Sequence, residues 1–348
     1  MRLVLVCGSF PPAVCGIGDY THKLMNALIE KGLSVEVLTD QDWKLFHVAD
    51  VLRRLRSGAF DIVHIQYPGL GYAKHLGPPA ISLIRDVVVT LHEFSHVHLL
   101  RRVASIPFCL RSQVIFTTEY ERQNAIAKMP FLVRRSQVIP IGSNIQKDTS
   151  TLEKRHFQEI VYFGLIVPKK GIEDVIKLAA VVKAQRLPYR IRVIGRIVHA
   201  VRELVAYAGN LLQSTKDLPI DWSIDLTEDE VAVLLGKTAF AYLPYPDGAS
   251  ERRGSLKAAL AAGAVCITTK GPQTTQEILN ATLIGQTPNA ALQAIEELTR
   301  DRAKWLQYSL RTYKYAEAFE WTNIADLHIN LYAHIMGLRS SGFATPNG

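Results

Sequence analysis

The strongest constraint in this sequence is an alternation. Short runs rich in β-branched and apolar residues recur, each followed by a stretch with helical apolar spacing. In the first half the runs are Leu3–Val6, Ser34–Leu38, Asp61–Ile65, Val87–Leu91, Gln113–Phe116 and Ser136–Ile139. In the second half they are Ile160–Phe163, Arg190–Ile194, Ala239–Leu243 and Ala264–Thr268. Strand and helix in regular succession build parallel sheets with crossover helices. The series is interrupted by the polar segment "QKDTSTLEKRHFQE", Gln146–Glu159, which lacks an apolar period and reads as a linker. The expected fold class is α/β, with two tandem doubly wound (Rossmann-like) parallel-sheet domains over residues 1–150 and 151–320. Such sheets bind ligands beyond the carboxyl ends of their strands, so a cleft between facing domains is the expected site. No repeat or low-complexity tract is visible, and the tail "RSSGFATPNG" is expected to fray.

Composition fits this plan. A chain of 348 residues, 48% hydrophobic and 21% charged, can build two ordinary cores, which argues against disorder. No apolar stretch reaches the roughly 18 to 20 residues that span a bilayer. Met1–Val6 reads as a first strand rather than a signal peptide, because Gly8 and Pro11-Pro12 end the apolar run early. The four cysteines, Cys7, Cys15, Cys109 and Cys266, show no paired short spacing, so reduced thiols and a cytoplasmic location are expected. A net charge of +8 favours anionic partners. Nucleic acid is not among the expected ones, because no aromatic-rich basic stretch, zinc finger or basic zipper is present.

The loop after the first run, within "VCGSFPPAVCGIGDYTHKL", contains Gly16-Ile17-Gly18. A nicotinamide dinucleotide fingerprint needs a third glycine where Thr21 stands. It also needs a tight turn, whereas seven residues separate Gly8 from Gly16. Asp40 supplies the acidic residue after the second run but is weak by itself. A long loop capping a helix is the plain alternative.

Several segments, in order, resemble retaining family-4 glycosyltransferases of GT-B fold: "PPAVCGIGDYTHKLMNAL", "DIVHIQYPG" (Asp61–Gly69), "TLHEFSH" (Thr90–His96) and "VIPIGSNI" (Val138–Ile145) in the first half. In the second half they are "VYFGLIVPKKGIEDVIKLA" (Val161–Ala179), "YLPYPDGASERRGSLKAALAAGAVCITT" (Tyr242–Thr269) and "WTNIADLHINLY" (Trp321–Tyr332). The likeness covers nearly the whole chain. It implies a donor domain in the second half, an acceptor-side domain in the first, and a terminal crossover helix at about 321–340 completing the first domain. In that family the glycine loop lies over the donor diphosphate, which makes Gly16 and Ile17 donor contacts. A side chain at Gly16 would obstruct close backbone approach, and the loop's length suits a lid reaching across the cleft.

Glycosyl transfer from a sugar nucleotide leaves negative charge on the departing diphosphate, which cations and helix N-termini stabilise. By resemblance Lys170 is the diphosphate lysine and Lys169 a bystander. In "ERRGSL" (Glu251–Leu256), Ser255 reads as the cap of the following apolar helix, and Gly254 lies in the same turn. Arg252 and Arg253 offer guanidinium donors to phosphate oxygens. His92 closes the run "DVVVTLH" and is expected to face the ligand crevice; resemblance implies that it holds the donor sugar near the reaction centre and need not be a general base. His96 and His98 are bystanders. The chain departs from the family at Leu165, where an arginine is usual, and at Ser250 and Ala258, where glutamates are usual. Arg252 or Arg253 then replaces the lost positive charge, and Glu251 or backbone groups take over ribose recognition. Asp40-Gln41-Asp42 is a D-x-D sequence outside the donor domain and reads as loop polarity; no metal is expected.

The stretch Lys44–Arg56 places Leu45, Phe46, Val48, Val51, Leu52 and Leu55 on one helical stripe with basic residues off it. It reads either as a packed helix or as a basic face for an anionic membrane at the inner face of the plasma membrane. Asp19, Tyr20 and Gln66 are candidate acceptor contacts on loops. The expected function is retaining, metal-independent hexosyl transfer, with UDP-glucose as first donor and a saccharide or lipid-linked saccharide of polysaccharide synthesis as acceptor. No cofactor is expected beyond the sugar nucleotide. The alternatives are a sugar-nucleotide-binding protein with weakened turnover and a nicotinamide-dependent oxidoreductase.

Overall fold

The computed structural model describes residues 1–13, 15–84, 86–95, 98–145 and 154–340, with backbone alone at 338–340. His96, the tail beyond residue 340 and residues 146–153 of the expected linker lie outside the described residues. The chain divides into two compact units, Met1–Gly142 with Trp321–Gly348, and Ser143–Glu320.

The first unit contains β1 (Arg2–Val6), β2 (Ser34–Leu38), β3 (Ile62–Tyr67), β4 (Val88–Leu91), β5 (Gln113–Phe116) and β6 (Ser136–Val138). They form a parallel sheet in the order β2-β1-β3-β4-β5-β6. β3 and β4 are buried along their whole length, polar His64, Gln66 and Thr90 included, as strands in a doubly covered sheet must be. Alternate residues serve opposite faces. Val63 and Ile65 pack with Val51, Ile81 and Phe108 on one face. Leu3, Leu5, Ile62 and Val88 pack on the other under the Gly16–Glu30 helix and the Trp321–Ser340 helix, through Leu24, Ile324 and Tyr332.

The second unit contains β7 (His156–Leu165), β8 (Arg190–Arg196), β9 (Ile220–Ile224), β10 (Thr238–Leu243), β11 (Val265–Thr268) and β12 (Leu283–Ile284). Their order is β12-β11-β10-β7-β8-β9, again parallel. The core centres on Ile160, Tyr162, Phe240 and Ile267, closed by Leu178, Leu260 and Trp305.

Some sequence expectations need correction. β7 begins at His156, inside the expected linker. Its polar start is held by pairing: the His156 amide donates to the Lys237 carbonyl (2.8 Å), and Glu159 accepts from Arg192 (2.8 Å). β9 escaped detection because it is a half-buried edge strand tied by Arg190–Asp221 and by Trp222 donating to Thr215. The Lys44–Arg56 stripe is not one helix. Asp42 accepts from the Lys44 amide (3.1 Å), a single 3-10 turn follows at Leu45–His47, and the α-helix spans Val48–Ser57. Val48, Val51, Leu52 and Leu55 are buried, but Phe46 is 89% exposed. Asp42 also faces Lys44 and His47, in keeping with a structural loop residue.

Candidate functional site

In the second unit, strand order reverses between β7, the first strand, and β10. An open parallel sheet offers its ligand crevice outside the strand ends at such a reversal. Two segments leave there, Ile166–Gly171 after β7 and Pro244–Arg253 after β10. They are locked together: Gly171 has φ +87°, and a Cβ on it would lie 1.9 Å from the Pro244 carbonyl oxygen. Only glycine fits this position, which is also the N-cap of the Ile172–Ala184 helix. Tyr162, on β7, donates to the Lys170 carbonyl (3.2 Å), fixing the turn that carries the half-buried Lys170 side chain. Arg253 acts electrostatically on the same Tyr162 hydroxyl, so this tyrosine ties the Lys170 turn to the Arg253 turn.

Arg253 is the N-cap of the Gly254–Ala261 helix, and no side chain caps that helix. Ser255 is therefore not the cap. It lies one residue inside the helix, where its hydroxyl pairs with the Tyr245 hydroxyl at 2.7 Å, which diverts it from the helix amides. The Arg253 guanidinium lies 4.7 Å from the Tyr245 ring centroid and bonds Asp247 through Nη2. Its Nε is buried and has no hydrogen-bond partner among the described residues. Helix amides left without a side-chain cap, beside a guanidinium that keeps 16% of its side-chain surface open, suit an anion. Arg252 is half-buried in the same turn, and Gly254 is exposed with open space around it.

Glu251 is already engaged, accepting from the Tyr315 hydroxyl at 3.2 Å. It also faces Lys257, whose ammonium lies 5.0 Å from the Phe319 ring and whose pKa burial pushes down to about 7. Ala258 packs in the core with Val161 and Ile194, so no ligand contact arises there. Leu165 ends β7 and stays 43% exposed.

The first unit holds a buried polar chain around His92. His92 follows β4 directly and extends its pairing, its amide donating to the Tyr67 carbonyl (2.9 Å). Its Nε2 pairs with Gln66 Oε1 at 2.9 Å, and Gln66 Nε2 meets His64 Nε2 at 3.3 Å. His64 Nε2 also pairs with Thr90 (2.8 Å), and its Nδ1 with the Tyr332 hydroxyl (2.7 Å). Tyr20 stacks edge-on against His92 (4.7 Å) and reaches His328 Nε2 at 3.4 Å. His328 Nδ1 donates to the Ile324 carbonyl (2.7 Å). An amide oxygen only accepts, so His92 is the Nε2–H tautomer and keeps an acceptor lone pair on Nδ1. Burial, with His328 adding to it, lowers the His92 pKa to about 3, and burial lowers that of His328 to about 4. Burial, reinforced by the other two rings, also lowers that of His64. All three rings are neutral near pH 7.

Gln66 and Tyr20 are not loop residues. They sit in β3 and in the Gly16–Glu30 helix at 0% and 4% exposure. With their polar ends committed to this chain, they orient His92 and have no surface for an acceptor. Asp19 is exposed on the first helical turn. The Gly16–Ile17–Gly18 triplet also belongs to that helix. Gly16 has nothing within 4 Å of an added Cβ, whereas at Gly18 the Cβ would lie 2.8 Å from the Ser9 carbonyl oxygen. The fold therefore demands glycine at 18, and at 16 the protein itself leaves room. The expected lid is pinned to its own unit, since Ser9 accepts from the Gly71 amide (3.0 Å) and Phe10 packs on His22. His64, Thr90, His328 and Tyr332 escaped sequence inspection. Their signal was the alternation Ile62-His64-Gln66 beside Val88-Thr90-His92, polar groups on a face that should be apolar.

No protein-family model and no curated protein matches this sequence. Solved structures do match across its length. HepE of Anabaena, in complex with UDP and glucose, superposes with a TM-score of 0.69 at 15% identity, covering 96% of this chain and 100% of that one. The catalytic domain of starch synthase IV from Arabidopsis thaliana, bound to ADP and acarbose, gives 0.64 at 12% identity, covering 97% and 99%. WaaG, a glycosyltransferase involved in lipopolysaccharide biosynthesis, gives 0.60 at 12%, covering 95% and 99%. The chain has the GT-B fold. At such identities the likeness establishes this architecture, and the chemistry must be argued from the GT-B chain's own residues. Among the described residues, no helix is long and apolar enough to cross a membrane.

Proposed function

We propose that this chain is a glycosyltransferase that takes a hexose from a sugar nucleotide. The observation that carries this reading is the anion site at the β7/β10 reversal. There the turn that carries Lys170, the Arg253 guanidinium and the uncapped helix at Gly254 meet around Tyr162, in a fold shared with structures that hold UDP, glucose and ADP. Lys170, Arg253 and the amides of Gly254 and Ser255 take the charge of the departing diphosphate, with Arg252 beside them. The anomeric C–O bond of the donor breaks with its electron pair going to the diphosphate. The acceptor hydroxyl oxygen bonds the anomeric carbon and gives its proton to a diphosphate oxygen. Attack on the face from which the diphosphate leaves makes the transfer retaining, a feature that rests on the family resemblance, as does the independence of a metal. His92 serves as a neutral acceptor for a sugar hydroxyl through Nδ1, and a pKa near 3 makes it a poor general base at neutral pH.

UDP-glucose is the donor we test first, because HepE is also solved with UDP-glucose, and a saccharide or lipid-linked saccharide is the proposed acceptor. Gly16 and Ile17 remain proposed donor contacts, and Asp19 an acceptor contact. The four buried free cysteines suit the cytoplasm. Contact with an anionic membrane is tested by vesicle flotation. A thermal-shift panel of UDP-, GDP-, ADP- and dTDP-sugars with NAD as control tests the reading. Stabilisation by a sugar nucleotide followed by release of its nucleotide supports transfer, and stabilisation by NAD alone overturns it. A binding protein with weakened turnover is the second reading, favoured by Leu165, by the core position of Ala258 and by the Glu251–Tyr315 bond. Binding without turnover would select it.

A further inference from the structure

The first unit carries a cavity of about 880 Å³ on the sheet face opposite His64 and Gln66. Cavities of about 300–1,000 Å³ are the size that holds small ligands. Its walls are apolar, with Tyr67, Tyr72, Pro79, Leu83, Leu100 and Val103 among them. Its basic lining consists of Lys74, His75, His98 and Arg101, and no carboxylate lines it among the described residues. Neither Lys74 nor Arg101 has an ion-pair partner among the described residues, and the Arg101 guanidinium makes only a long contact, 3.4 Å, to the Ala73 carbonyl.

The cavity is built, because the turn beneath it is fixed from below. The Tyr72 hydroxyl donates to the Val6 carbonyl (3.0 Å), and the Tyr72 ring packs edge-on against Trp43 at 4.9 Å. Ala73 is held at φ +48°, a conformation alanine adopts only under constraint, and this sends the chain out to Lys74 at the rim. Among the lining residues, Leu45, Leu76, Leu100 and Val103 are all more than half exposed. A free sugar would leave these walls unused, and a neutral hydrocarbon would leave the rim unused.

We propose that this cavity binds the hydrocarbon chain of an anionic amphiphile, with its phosphate headgroup held at the rim by Arg101 and Lys74. An apolar slot ending in uncompensated positive charge matches both halves of such a molecule. Binding does not require the transfer activity proposed above; identifying the amphiphile as the acceptor does rest on that reading.

The test is calorimetric titration of the full chain with octyl, decyl and dodecyl phosphate as monomers. Inorganic phosphate, dodecyl maltoside and phosphatidylglycerol vesicles are the comparison arms. Burial of each methylene is worth about fourfold in affinity, so each pair added should tighten binding roughly 15-fold. Inorganic phosphate should not bind in the same range, and dodecyl maltoside should bind more weakly than dodecyl phosphate. Ala104→Trp, or Leu83→Trp at the more tolerant mouth, should flatten the chain-length series. Arg101→Gln should weaken every alkyl phosphate about tenfold and keep its slope. Vesicle binding without binding of monomeric alkyl phosphates, affinity independent of chain length, or unchanged binding in both tryptophan variants would overturn the proposal. Alkyl phosphate binding without any sugar-nucleotide binding leaves the cavity standing and removes only the transfer reading.

Discussion

Lowering the pH from 7 to 5 should loosen the first unit while sparing the second. The cause is the cluster of His64, His92 and His328, buried neutral against Gln66, Thr90, Tyr20 and Tyr332. Each folded-state pKa lies below the unfolded value of about 6.5, that of His92 at about 3 and that of His328 at about 4. Between these limits the unfolded chain binds a proton that the folded chain refuses. Stability contributed by the neutral cluster is therefore complete above pH 6.5 and is lost as the pH falls toward 4. The slope is about 1.4 kcal/mol per pH unit for His92 and for His328, or about 2 kcal/mol each at pH 5. His92 and His328 together contribute about 4 kcal/mol, approaching the whole stability of many domains, about 5–15 kcal/mol, and His64 acts in the same direction. In the second unit, the lowered carboxylates Asp221, Asp225 and Glu230 respond only below their own unfolded values near 4. Hydrogen exchange read by mass spectrometry at pH 7, 6 and 5, corrected for intrinsic rates, separates the units. Opening should become easier in β1, β3 and β4 and stay unchanged in β7 and β10. His328→Gln should remove about one histidine's share of the slope. Equal protection of β3 and β4 at pH 5 and 7, or a His328→Gln slope equal to the wild type's, would refute the reasoning.

Arg253→Ala should weaken UDP-sugar binding at least tenfold by calorimetry, with Arg253→Lys recovering part of it, because a lysine restores charge without the paired donors. If Arg252→Ala and Arg253→Ala both bind and turn over as the wild type does, charge replacement at this turn is wrong. Gly171→Ala forces a side chain into φ +87° and against the Pro244 carbonyl; urea denaturation should show the second unit destabilised by about 1–3 kcal/mol or more. Lys257 has a folded pKa of about 7 against 10.5 unfolded, so the second unit should gain stability as the pH rises from 7 toward 10. The gain from pH 7 to 9 should be about 2–3 kcal/mol and should vanish in Lys257→Met, as measured by denaturant titration at each pH.

How far the sequence revealed this molecule depended on what holds each part in place. β3, β4, β10 and β11 are buried on both faces, so their mostly apolar, β-branched runs announced them. The edge strand β9 and the polar start of the central strand β7 are held by backbone pairing and ion pairs between distant residues, which leave no local pattern. The anion turn was visible as "ERRGS", yet its cap was misassigned, because the partner that diverts Ser255 is Tyr245, on the far side of the turn. The polar chain at His92 was half visible. His64 and Tyr332, 268 positions apart, meet only after the terminal helix returns to the first unit. Gly16 drew notice for its motif, whereas Gly18 is the residue the packing requires.

The most direct measurement is hydrogen exchange of the full chain with and without UDP and UDP-glucose. The expected result is nucleotide-dependent protection at residues 166–171 and 244–256, the two segments that meet at the β7/β10 reversal. Arg253→Ala should lose this protection. Protection confined to the first unit, or no response to any sugar nucleotide, would contradict a diphosphate site built on Lys170 and Arg253.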